Sequence, residues 1–164
     1  LRTRGHVLDQ WTDARSARLA ILRATAVPHG PAGAGNQTAE NLLTLIHSFA
    51  HRFLRLTAAH AGIERSSLSE LLVPLHLGFF IYAAARGDFV LGGLQAVFES
   101  DLDRLLREFR RNDARCPLDP GCQRAGGACM ACLHIGEPSC RHYNRFLDRS
   151  VLTGPRGYWS TLVG

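Results

Sequence analysis

The sequence predicts an α+β fold in which helices pack a small central β-sheet and a cysteine-rich loop closes the C-terminal part. Three observations carry this. Leu42, Leu45, Ile46, Phe49, Phe53, Leu54 and Leu56 recur at three-to-four spacing, two short apolar runs follow them, and all five cysteines fall between Cys116 and Cys140. A chain of 164 residues with 46% hydrophobic content is long enough for one domain with its own core.

In chain order, residues 1–30 are arginine-rich with scattered apolar positions, and Leu19 to Val27 fits a strand or a helix equally well. Pro28 to Gly35 is a proline and glycine run that continues neither element and is expected to be a loop. The expected organisation is an N-terminal segment over 1–35, the main domain over 36–154 and a tail over 155–164. From Asn36 the pattern turns helical, with Thr38 as candidate N-cap, and runs for about six turns to Gly62. On this helix His47 and His51 stand at i and i+4 and share a face.

Leu68 to Leu75 and Gly78 to Ala85 read as two short strands, the first broken by Pro74. Gly87-Asp88 turns the chain. A second helix then carries Leu94, Val97, Phe98, Leu102, Leu105, Leu106 and Phe109 on one side and ends near Asn112. Gly92-Gly93, at the expected strand-to-helix turn, resembles a phosphate loop only weakly. No G-K-[ST] follows, so a tight packing turn is the better reading. Arg141 to Leu152 returns to helical spacing through Tyr143, Phe146, Leu147 and Val151, and Gly154-Pro155 ends it. For Tyr158 and Trp159, packing on the core and a free tail both stay open.

The net charge is +5, and all 19 basic residues are arginine. A guanidinium binds phosphate bidentately and stacks on bases, so Arg107, Arg110, Arg111, Arg141 and Arg145 are candidate nucleic-acid contacts. The first three lie at a helix C-terminus, where complementarity to the helix dipole accounts for them about as well. No run of eighteen apolar residues and no secretory signal occurs, which makes the cytoplasm the expected compartment and a membrane partner unexpected. With Leu1 first and Met130 the sole methionine, the chain is expected to be part of something larger.

The cysteines run C-x5-C-x6-C-x2-C-x7-C. Thiolates crowded around a C-x2-C knuckle suit a tetrahedral zinc ion, whose Zn–S bonds of about 2.3 Å let one tight turn supply two ligands. The competing disulfide framework is disfavoured by the odd cysteine count. Cys129 and Cys132 form the knuckle. Cys140, expected just before a helix, is the natural third ligand, and the fourth is Cys122 or Cys116. Cys122 is preferred because the shorter loop closes at lower entropic cost. His134 and His142 are reserve ligands. A site so rich in thiolates is expected to be closed and structural.

Gly127-Ala128-Cys129-Met130-Ala131-Cys132-Leu133, Glu137-Pro138-Ser139-Cys140 and Asn144-Arg145-Phe146-Leu147-Asp148-Arg149 together resemble a family signature, A-C-x-x-C-L, E-x-S-C and N-x-x-L-D-R. It is that of the C-terminal zinc-binding domain of MrfA-type DNA-repair helicases, in the variant carried by DrmB-like proteins of the DISARM anti-phage system. Cys116-Pro117-Leu118-Asp119-Pro120-Gly121-Cys122 resembles the family's C-x-x-D-P-x-C element, and His47-Ser48-Phe49-Ala50-His51 stands where it has H-T-L-S-H. Ile81-Tyr82 and Gly92-Gly93-Leu94 fit its strand and glycine turn, so the similarity spans roughly residues 38 to 153. The resemblance implies a zinc-stabilised accessory domain, not an enzyme, that serves a partner helicase on DNA.

Two other readings stand beside it. One is a protein-interaction scaffold that never touches DNA. The other is a metal-dependent hydrolase using His47 and His51 with a carboxylate base such as Glu40. The pair lacks the H-E-x-x-H base between its histidines, which favours core or interface histidines hydrogen-bonded to backbone or to a partner.

Overall fold

The computed structural model describes residues 37–84, 88–111, 115–153 and 157–159. The expected N-terminal segment and its Pro/Gly loop, the turn at Gly87, the helix end at Asn112 and the stop at Gly154-Pro155 lie outside them. The chain forms α1 (Gln37–Ala61), β1 (Leu68–Val73), β2 (Gly78–Ala83), α2 (Asp88–Ala96), α3 (Leu102–Arg110) and the single turn α4 (Gly121–Arg124). The α+β class holds: helices pack against a two-stranded antiparallel sheet.

The element buried on the most sides is α1. Between Leu42 and His51 only Thr44 is even half-exposed. A helix apolar over most of its circumference belongs inside a fold, and two clusters use different faces of it. Leu45, Ile46 and Phe49 meet Phe109, Leu133 and Leu152 in the first cluster. Leu54 and Ala58 meet Leu68, Val90 and Ile135 in the second. Tyr158 and Trp159 belong to the first and set their rings edge-on to Phe49 at 5.3 and 5.5 Å. Gly157 makes this return possible: a Cβ there would stand 2.6 Å from the backbone of Thr153.

The hairpin pairs Leu68 with Ala83 and Val73 with Gly78, so both strands stop two residues earlier than expected. Pro74 opens a 3₁₀ turn to His76, and Leu77 takes a left-handed φ of 52° to reverse the chain. Period-two alternation turns Leu68, Glu70 and Leu72 to the same face. Glu70 is thus the lone charge on an inward-facing apolar row.

Four expectations are corrected. Gln37 and Thr38 are already helical, so Thr38 lies in the first turn and does not stand before it as a cap. Gly92 and Gly93 lie inside α2 rather than at a strand-to-helix turn; Gly93 lets α2 approach Ala61, whose carbonyl would be 3.1 Å from an added Cβ. The long second helix contains a π turn at Val97–Asp101. That turn holds more residues than an α turn and keeps Val97, Leu105 and Phe109 buried while Phe98 is 72% exposed.

The fourth correction concerns Arg141 to Leu152, which is not a helix. It is a run of turns ending in a 3₁₀ turn at Arg149–Val151. Tyr143, Asn144 and Phe146 have positive φ, and the Asn144 side chain pairs with both the N–H and the carbonyl of Ile135 at 3.0 and 2.9 Å. Side chain to backbone bonding of this kind competes with helix formation.

Candidate metal centres

The cysteine stretch folds on itself through its own backbone. The amides of Cys132, Leu133 and His134 all donate to the carbonyl of Cys129, and those of Ala125 and Gly127 to that of Cys122. Gly127 has a φ of +77°, and a Cβ there would run into the Asp148 carboxylate. Its carbonyl accepts from Arg149 N–H at 3.1 Å. Arg149 in turn is ion-paired to Asp119, whose carboxylate accepts from Cys116 N–H at 3.1 Å. The D-P and L-D-R elements therefore meet in space and hold the loop from both ends.

Cys116, Cys122, Cys129 and Cys132 converge, with all four sulfurs within 4.8 Å of one another. The separations are 3.5 Å for Cys116 to Cys129 and 3.7 Å for both Cys122 and Cys129 to Cys132. A disulfide would need about 2.05 Å. The edge of a tetrahedron of thiolates around a metal at 2.3 Å is about 3.8 Å, which these spacings approach. The electrostatics agree. Burial and the thiols of Cys129, Cys132 and Cys116 push the Cys122 thiol well above its ordinary range. Burial likewise pushes Cys129 up, but Cys116 and backbone amides outweigh it and bring it down to about 7. Four thiols this close cannot all ionise unless a cation sits among them. The four could hold a metal ion.

Both Cys116 and Cys122 are in this group, whereas Cys140 is not. Cys140 lies instead with His47, His51 and Glu70, whose ligand atoms also fall within 4.8 Å of one another. No helix begins at Cys140 to draw it toward the knuckle. The turn after Glu137–Ser139 packs on β1, with Ser69 Oγ donating to the Ser139 carbonyl at 2.9 Å, and this places Cys140 against α1. His47 Nε2 is 2.9 Å from Glu70 Oε1 and 3.3 Å from Cys140 Sγ, and His51 Nε2 is 3.4 Å from the same Oε1. The four side chains are at most 2% exposed.

Burial alone would lower the His47 imidazole, but Cys140 and Glu70 beside it outweigh that and raise it to about 9. Burial would raise Glu70, yet the two histidines pull it down to about 2. Neither reserve histidine joins a cluster, although the His142 ring lies 5.2 Å from that of His47. Glu40 is exposed at the start of α1, and the carboxylate that reaches the histidines is Glu70. Sequence spacing found the histidine pair but not its partner. The available signal was a glutamate between Leu68 and Leu72 on a half-buried strand.

The candidate nucleic-acid residues Arg107, Arg110, Arg111, Arg141 and Arg145 are all exposed, on α3 and its end and on the turns after Cys140. Arg145 lies over the Phe146 ring at 5.2 Å. Arg111 also lines a cleft of about 350 Å³ beside the knuckle, together with Arg52, Arg55, Arg115, Arg149 and Glu108. Arg55 is committed inward: its guanidinium donates to the carbonyls of Met130, Ala131 and His134 at 3.1, 2.9 and 2.7 Å. No described helix is long and apolar enough to cross a membrane.

No family model matches the chain. It is similar to the DISARM protein DrmB of Bacillus paralicheniformis, with 29% identity over 121 residues. The match covers 66% of this chain and 22% of that protein, so the chain corresponds to about a fifth of its relative. The similarity points to a DISARM-related protein.

Proposed function

We propose that this chain is a zinc-stapled accessory module of a DISARM-type anti-phage defence protein, DrmB-like, that helps a partner helicase engage DNA. The similarity to DrmB carries the reading. Zinc suits the four cysteines because it favours tetrahedral thiolate coordination and has no redox chemistry of its own. With four protein ligands the site is closed, and in this reading the module binds and positions rather than catalyses. Phosphate contact falls to the exposed guanidinium groups of Arg107, Arg110, Arg111, Arg141 and Arg145 and to the rim of the cleft at Arg115.

Titrating the chain with duplex and single-stranded DNA at rising salt tests this. Affinity should fall with salt, and each lost phosphate contact should flatten the logarithmic slope by about 0.7–0.9. Binding that is absent at low salt, or unchanged by neutralising the five arginines, removes the DNA contact.

A second reading, a scaffold that docks the partner and does not touch DNA, is favoured by a different observation. Phe80, Phe89, Leu91 and Phe98 are 58–74% exposed on β2, α2 and the π turn. Large apolar side chains left in water mark interaction surfaces when they gather. Co-purification with the helicase subunit that survives arginine substitution but not Phe89→Ser with Phe98→Ser supports it. The hydrolase reading loses ground, since His47 and His51 are wholly buried and already face Glu70 and Cys140.

A further inference from the structure

We infer that His47, His51, Glu70 and Cys140 bind a second tetrahedral divalent metal ion, separate from the four-cysteine site and sharing no ligand with it.

The tautomers point this way first. His47 Nδ1 lies 3.2 Å from the Phe146 carbonyl, and His51 Nδ1 lies 2.9 Å from the Leu133 carbonyl. A carbonyl only accepts, so each Nδ1 carries the proton and each Nε2 can present a lone pair to the centre. A metal-bound histidine is commonly held in this way, its outer nitrogen donating to a backbone carbonyl. Cys140 Sγ has its own outer contact, accepting from Asn144 N–H at 3.3 Å.

Inside the cluster the donors run short. Among the described residues, no hydrogen bond of ordinary geometry reaches His51 Nε2 or either Glu70 oxygen. A buried carboxylate without such bonds costs several kcal/mol, and it persists here next to a thiol and two imidazoles. A divalent ion answers all four at once. Its two charges balance the carboxylate and the thiolate, and the rings bind neutral. The edges of a mixed N, O and S tetrahedron are about 3.3–3.6 Å, and the observed 2.9, 3.3 and 3.4 Å bracket the lower end. Binding releases to solvent the Cys140 thiol proton and the proton of any ring that is imidazolium beforehand, with no change in oxidation state. Two imidazolium ions would balance the same charges without metal, but the proton on His51 Nε2 would then have no acceptor in line.

The ligand set is of zinc type, and with four protein donors it leaves no open position. It ties α1 to β1 and to the turn at Cys140.

The test is the metal content of the whole chain after purification from zinc-supplemented medium, followed by X-ray absorption. Two zinc ions per chain are expected, with an average sphere of about 2.5 sulfurs and about 1.5 nitrogen or oxygen ligands per metal. Glu70→Gln and Cys140→Ser should each remove one equivalent and leave an all-sulfur sphere. Cys129→Ser with Cys132→Ser should remove the other and leave a sphere dominated by nitrogen and oxygen. One zinc per chain in the unaltered protein, surrounded by sulfur alone, overturns the inference whatever the variants do. A single zinc in a mixed sphere instead upholds it and overturns the four-cysteine assignment.

Discussion

The two clusters each gather four side chains able to hold a metal ion and are built in opposite ways. The four cysteines come from 17 consecutive residues, Cys116 to Cys132, and two of them remain half-exposed. The second group draws Cys140 to His47 across 93 positions and is sealed in the core. A cluster assembled from neighbours organises a loop, whereas one assembled from distant elements organises the fold. The contrast predicts a local failure when the first is lost and a global failure when the second is lost.

The largest expected effect is that of stripping metal altogether. Structural sites of this class stabilise by on the order of 10 kcal/mol, so a strong chelator should shift the urea midpoint further than any single substitution. An unchanged midpoint would mean that neither cluster holds metal. Next comes Glu70→Ala, which leaves the buried imidazoles and thiol without their carboxylate and should cost about 3–5 kcal/mol of global stability. Cys116→Ser is its counterpart at the other cluster. It should open the 116–132 loop to protease while the melting of α1, followed by far-UV circular dichroism, moves little. Equal global losses for the two variants would break the comparison.

The pH dependence of the metal-free chain sharpens it. His47 is raised from 6.5 to about 9, so its contribution is complete below 6.5 and is lost as the pH rises through about 9. Glu70 is lowered from 4.5 to about 2, so its contribution is complete above 4.5 and is lost as the pH falls through about 2. The metal-free chain should therefore lose stability on the alkaline side, between 6.5 and 9. Zinc should suppress that loss, which urea titrations at pH 6, 7.5 and 9 would measure. Smaller still is Gly127→Ala, which puts a Cβ at positive φ against Asp148. It should cost about 1–2 kcal/mol and loosen the knuckle from Arg149 without changing metal count.

The same contrast explains what could be read from the sequence. The cysteine knuckle was legible because its ligands are neighbours and their spacing is the signal. The α1 periodicity and the two strands were legible for the same reason. Cys140 is assigned to the knuckle in the sequence because a helix is expected to begin beside it, whereas the 3₁₀ turn Glu137–Ser139 packs on β1 and places Cys140 against α1. Glu70 stands at no spacing that links it to the histidines, since they meet only after the hairpin folds on α1; its one signal is its place between Leu68 and Leu72 on the strand. The turns from Arg141 onward imitated a helix because Tyr143, Phe146, Leu147 and Val151 have helical spacing. The hydrogen bonds of Asn144 to Ile135 settle that backbone differently.

The π turn at Val97–Asp101 has a bearing on inheritance. In an α-helix each residue turns the chain by about 100°, so the seven steps that would remain from Val97 to Leu105 after loss of one residue come within about 20° of whole turns. A chain lacking one residue of this turn, Glu99 for example, should form an unbroken α-helix with Leu105 and Phe109 still facing α1. Relatives that differ here by a single insertion or deletion should keep the same core, and equal melting temperatures for the parent and the shortened chain would show it.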